Sequence, residues 1–165
     1  MKNTIGDNKL VGLVKVGLVA ALYVVITLTV APFAYGPVQF RLSELFNNLS
    51  VFNKRYIWAV TIGCAIANLN SPLGMPDVIF GTLGTLLMTS ISYWLSRYIK
   101  KTSVKLGVCV AVCTLMSWTV ALELMLISKL PFWASYLSVG AGELVSMVIG
   151  AIIVYLVSKR IDLTK

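Results

Sequence analysis

The 165-residue chain carries only six acids, and four of them, Glu44, Asp77, Glu123 and Glu143, stand inside or beside long apolar runs. A carboxylate carried into a membrane interior costs a few kcal/mol on insertion scales, so each of the four calls for a cavity, a ligand or an opposite charge. Arg41 precedes Glu44 by three residues. If that segment is helical the two share a face, which predicts an ion pair capping its end. Asn68 closes another apolar run and Trp118 sits deep within a third. This set suits recognition of a small planar solute. An aromatic face stacks on a ring, one carboxylate accepts from adjacent N–H groups, an amide meets a carbonyl edge, and a second carboxylate holds an ammonium. Catalysis is a poorer fit. The chain has no His, and Cys64, Cys109 and Cys113 show no C-x-x-C spacing, so neither a metal centre, a disulfide framework nor a nucleophile–base pair is expected. No cofactor is implied.

The elements that must hold these side chains follow from composition. With 58% apolar and 12% charged residues and a mean hydropathy of +0.88, the chain reads as an all-α integral membrane protein in one domain. Six spans are expected, over residues 10–31, 40–52, 56–69, 77–98, 105–128 and 132–158, separated by charge clusters, Pro32, the Gly36-Pro37 pair and the Asn68–Gly74 turn. About 20 residues per span leaves no room for a nucleotide-hydrolysing domain. The G-x-x-x-x-G-K-[ST] phosphate loop is also absent, so ATP-driven work would fall to a partner.

Threading the spans with both termini in the cytoplasm puts 12 of the 14 Lys and Arg residues inside and leaves only Arg41 and Lys129 outside. The net charge of +8 therefore reads as topology rather than as a nucleic-acid footprint. The same threading places Glu123 near the outer surface and Glu143 near mid-membrane. Tyr35, Phe40, Phe132, Trp133 and Tyr136 gather on the outer side as an interfacial aromatic belt, with Trp118 deeper. Gly17 and Ala21 in the first span, and Gly63 and Ala67 in the third, have the small-xxx-small spacing that lets helix backbones approach closely.

Several stretches carry a resemblance: Ala20-Ala21-Leu22-Tyr23, Gln39-Phe40-Arg41-Leu42-Ser43-Glu44, Ile62 to Asn68, Asp77 to Leu86, and Gly142-Glu143-Leu144. Over Leu10 to Ser158 the chain resembles the QueT family, substrate-binding (S) components of energy-coupling factor transporters assigned to uptake of queuosine precursors. The resemblance implies a six-helix bundle that captures 7-aminomethyl-7-deazaguanine or a close precursor from outside. It further implies assembly in the bilayer with a membrane coupling protein, contacted through Gly17 and Ala21, and two ATPases. Its motifs point to Arg41, Glu44, Asn68, Asp77 and Glu143 as site residues, while Glu123 and Trp118 come from the fifth span itself. A proton-coupled secondary transporter using Glu123 and Glu143 as a relay is the alternative from a different class.

Overall fold

The computed structural model describes residues 4–35 and 40–164, with side chains from residue 10 onward. The Gly36-Pro37 turn, Gln39, Lys2 and Lys165 of the sequence reading lie outside the described residues. Among the described residues every regular element is helical: α1 (Thr4–Thr29), the single-turn α2 (Ala31–Ala34), a 3₁₀ helix (Leu42–Val51), α3 (Arg55–Asn68), α4 (Met75–Ser96), α5 (Thr102–Met116), α6 (Trp118–Ser128) and α7 (Phe132–Ser158). Four stretches, Leu10–Thr29, Met75–Ser96, Thr102–Ser128 and Phe132–Ser158, are long and apolar enough to cross a membrane. These correspond to the first, fourth, fifth and sixth expected spans. The other two segments are shorter. Ten residues of 3₁₀ helix rise about 20 Å, and the 14 residues of α3 rise about 21 Å, against about 30 Å of hydrocarbon.

The bundle buries polar as well as apolar side chains and is apolar outside. Helix α4 shows this most clearly: Ile79, Leu83, Leu87 and Ile91 follow a four-residue spacing on its exposed face. Asp77, Gly81, Thr85, Thr89, Ser92 and Ser96 occupy the buried face. Hydroxyls on that face satisfy themselves on the preceding turn, Thr89 Oγ1 donating to the Thr85 carbonyl at 2.6 Å and Ser92 Oγ to that of Met88 at 2.7 Å. Close backbone approach does the rest. A Cβ on Gly63 would lie 2.8 Å from Tyr23 Cβ and 3.0 Å from the Ala20 carbonyl, so α1 and α3 meet only because that position is bare. A Cβ on Gly150 would lie 2.5 Å from the Leu45 carbonyl, so α7 rests directly on the 3₁₀ helix. There Asn48 Nδ2 donates to the Met147 carbonyl at 3.1 Å. Val19, Tyr23, Leu49, Val60, Cys64, Cys109, Cys113, Met147 and Val154 form a continuous buried cluster across these helices.

Two elements depart from the sequence reading. The second segment is a 3₁₀ helix, with three residues per turn, so residues three apart stack along straight edges. Glu44, Asn47 and Ser50 share one edge and are all buried, as is Arg41 at the cap. Ser43, on a second edge, meets α1, accepting from Thr27 Oγ1 at 2.6 Å. Leu45 and Asn48, on the third, meet α7. The expected fifth span is also broken. Its helix stops at Met116 and resumes at Trp118, with the Ser117 amide bonding to the Thr114 carbonyl, three residues back instead of four. Lys129, at φ 57°, then ends α6 in a left-handed cap that lets the Leu130 amide reach the Leu124 carbonyl.

Candidate functional site

Arg41 caps the 3₁₀ helix with extended backbone, which turns its side chain out of register with Glu44 and toward the first turn of α4. Its Nη2 donates to Asp77 Oδ1 at 2.6 Å, and both side chains are nearly inaccessible to solvent. The expected Arg41–Glu44 ion pair is therefore corrected to Arg41–Asp77, 36 residues apart in sequence. Asp77 is favoured at that position by the unsatisfied amides of a helix N-terminus. Asn68, the last residue of α3, secures the arrangement by donating from Nδ2 to the Asp77 backbone carbonyl at 3.0 Å. Tyr35 completes it, with its ring centroid 5.8 Å from the Arg41 guanidinium carbon and its hydroxyl donating to the Ala67 carbonyl at 2.6 Å. Partial burial raises the Tyr35 phenol above the ordinary tyrosine range, with Arg41 opposing the shift, and the hydroxyl stays a donor. A Cβ on Gly81 would collide with the Asn68 amide, so Gly81 is what lets this brace close.

Glu44 has different partners. Tyr23 donates its hydroxyl to Oε1 at 2.6 Å, and Asn47 Nδ2 donates to Oε2. Beside these groups lies a narrow, partly open cavity of about 30 Å³. Arg41 and Glu44 form one wall, Gly81, Gly84, Thr85 and Met88 of α4 a second, and Cys113, Met116, Ser117, Thr119 and Val120 around the α5–α6 break a third. Val139 and Glu143 of α7 close it. Glu143 Oε1 is buried without a hydrogen-bond partner, as are Arg41 Nε and Ser117 Oγ. Unpartnered buried polar atoms cost stability and in a cavity wall are what a ligand would satisfy.

Of the residues expected at the site, Arg41, Glu44 and Glu143 converge on the cavity. Asp77 and Asn68 stand behind its wall as the brace that holds Arg41. Glu123 is fully buried with both carboxylate oxygens unpartnered. It does not line the cavity, but follows the lining residues Thr119 and Val120 by four and three positions on the same side of α6. Trp118 is 43% exposed and does not line the cavity. Tyr23 and Ser117 are the residues that sequence reasoning assigned no role. A tyrosine in the middle of an apolar span was the available signal for the first, whereas a lone serine in a helix gives none. Gly17 and Ala21 point away from the bundle, on a face shared with exposed Leu10, Leu13, Val14, Leu18 and Val25. Among the described residues no group of three His, Cys, Asp or Glu could hold a metal ion.

The cavity wall offers acceptors on two carboxylates and a donor on a guanidinium, and among the described residues that line it no nucleophile is hydrogen-bonded to a base. Residues 13–159 match the family described as QueT transporter. The chain belongs to the QueT transporter family. A relative from Lactococcus lactis subsp. cremoris (strain MG1363), the queuosine precursor transporter QueT, is 37% identical over 170 residues, covering 96% of this chain and 98% of that one. No solved structure matches the chain. Membership of QueT makes the four long apolar helices those of a membrane transporter and sets the enzyme class aside. The matched range includes every cavity-lining residue and Glu123, so the QueT assignment and the site concern the same part of the chain.

Proposed function

We propose that this chain is the substrate-binding S component of an energy-coupling factor importer, capturing 7-aminomethyl-7-deazaguanine or a close queuosine precursor from outside the cell. The observation that carries the reading is the buried cavity walled by Glu44, Glu143 and Arg41 in a QueT-family chain. The Lactococcus relative, a queuosine precursor transporter, supports the solute class. In this reading Glu143 and Glu44 accept from the N–H groups of the guanine-like edge. Glu123 serves the ammonium of the aminomethyl arm, and Arg41, braced by Asp77 and Asn68, orients the ring. Trp118, which the sequence suggested for stacking, would need to turn inward to reach it. The chain crosses the bilayer six times with both termini in the cytoplasm, the short 3₁₀ helix and α3 forming the second and third passages. The segregation of 12 of 14 basic residues supports this topology. The outward Gly17–Ala21 face meets the membrane coupling protein, behind which two ATPases supply the work.

Calorimetric titration of the purified chain with 7-aminomethyl-7-deazaguanine, its 7-cyano analogue and guanine tests the solute. Tight binding of the first, well above guanine, is the expected outcome, and no binding of any would refute it. A second reading, proton-coupled transport, draws on Glu123, whose buried, unpartnered carboxylate could carry a proton. Uptake into reconstituted vesicles separates the two. The S-component reading requires a coupling module and ATP, whereas uptake by the chain alone, driven by a proton gradient, would establish the second.

A further inference from the structure

Ser117 stands where a 27-residue apolar stretch loses its helical continuity, with no Pro or Gly between Val108 and Leu130 to force the break. The carbonyls next to it are taken by neighbours. Thr119 Oγ1 donates to the Met116 carbonyl at 3.0 Å, and the Tyr136 hydroxyl to that of Leu115 at 3.3 Å. The group left without a partner is the Ser117 hydroxyl itself, on a residue only 5% exposed, in the wall of the cavity. Across from it α7 comes close: a Cβ on Gly140 would lie 4.0 Å from both Ser117 Cβ and Oγ. Glu143 follows Gly140 by three residues on the same face and lines the same cavity with Oε1 unpartnered.

Two unpartnered oxygens in adjoining positions have complementary roles. An ionised carboxylate only accepts, whereas a serine hydroxyl can donate. A ligand edge satisfying both presents an N–H beside a carbonyl oxygen, which is the edge of a lactam. We infer that Ser117 is a specificity-determining residue that donates to the ligand's lactam carbonyl while Glu143 accepts from the adjacent N–H. The break between α5 and α6 delivers that hydroxyl into the cavity. This inference rests on the cavity being the solute site, and it adds a residue and a selectivity that the family assignment does not supply. A site that hydrogen-bonds a particular ligand atom discriminates strongly against an analogue in which that atom cannot reciprocate.

The test pairs a change in the protein with a change in the ligand. Purified wild type and Ser117→Ala are titrated with 7-aminomethyl-7-deazaguanine and with its 6-thio analogue, which keeps the ring N–H but replaces the carbonyl oxygen with a weaker acceptor. Wild type is expected to prefer the oxo compound by about tenfold or more, as for one hydrogen bond to a neutral donor. Ser117→Ala is expected to lower oxo affinity by a similar factor, change thio affinity little and erase the preference. Ser117→Thr, which keeps the hydroxyl, is expected to retain it. Ser117→Cys, close to isosteric and a poor donor, makes the same comparison if the alanine variant melts early. Equal weakening of both compounds, or an unchanged preference, overturns the role of Ser117 while leaving the solute assignment intact. Wild type binding neither compound overturns the solute assignment and, with it, this inference.

Discussion

Removing one member of the Arg41–Asp77 pair should cost far more than removing both. The pair closes at 2.6 Å with side-chain exposures of 7% and 1%, so neither charge has water to fall back on. Arg41 Nε and Asp77 Oδ2 are already without partners. Glu44 makes no ion pair with Arg41, its oxygens accepting instead from Tyr23 and Asn47. Charge centres about 4 Å apart attract by about 4 kcal/mol at an effective dielectric constant near 20. Stranding one member of a buried pair measures about 3–5 kcal/mol in other proteins, which agrees. Asp77→Ala and Arg41→Met should therefore each lower ligand-free stability by about 4 kcal/mol, or about 8–16 °C in Tm on the scale for chains of this length. The double variant, which buries no charge, should melt within about 1 kcal/mol of the parent. The assay is thermal unfolding of the purified chain in detergent, followed by circular dichroism and run as a double-mutant cycle. Single variants that melt like the parent, or a double variant whose loss equals the sum of the two, would show that the pair is not desolvated and that the brace behind the cavity does not exist.

Three further outcomes follow from the same geometry. Glu143→Gln keeps the shape of the cavity wall but removes the charge from its hydrogen bond, and should weaken 7-aminomethyl-7-deazaguanine binding by about tenfold or more in calorimetry. Gly63→Ala should destabilise the isolated chain by about 1–3 kcal/mol, since its Cβ would sit 2.8 Å from Tyr23 Cβ, whereas Gly17→Ala, with nothing within 4 Å, should melt at or above the parent. Gly17→Leu should leave solute binding by the purified chain unchanged while reducing ATP-dependent uptake in vesicles containing the coupling module. Normal uptake by that variant would remove the outward face of α1 from the coupling contact.

The long helices were legible because lipid and protein ask different things of opposite faces. The four-residue spacing of Ile79, Leu83, Leu87 and Ile91 against Thr85 and Thr89 is written in residue types. The 3₁₀ helix was not legible: ten residues are too few to separate a period of 3.0 from 3.6, and polar residues at three-residue spacing fit either. Nor was the break at Ser117, since serine is an ordinary helix residue and the groups that flank the break, Gly140 and Tyr136, lie far along the chain. At the site, residue type flagged Glu44, Glu143 and Arg41 because charges in apolar surroundings demand explanation. Their partners were hidden, because Asp77 reaches Arg41 across 36 residues and Tyr23 reaches Glu44 across 21. Trp118, expected to face a ligand, is 43% exposed and does not line the cavity. An aromatic residue deep in a span looks the same whether it faces lipid or a ligand.

The 3₁₀ edge that carries Glu44, Asn47 and Ser50 acts as a graduated scale beside the cavity. In an α-helix such residues would spiral away from one another, but here each successive position is displaced along a straight line by about 6 Å. The first mark, Glu44, borders the cavity, with Arg41 of the cap beside it. The next two, Asn47 and Ser50, lie deeper and still hold unpartnered oxygens. Asn47 and Ser50 are fully buried and do not line the cavity, so a solute with a longer arm along this line would meet them only where the wall is opened. Enlarging the void at Cys113 or Met88 is thus a route to a transporter for extended deazapurines, with the recognition groups already in place.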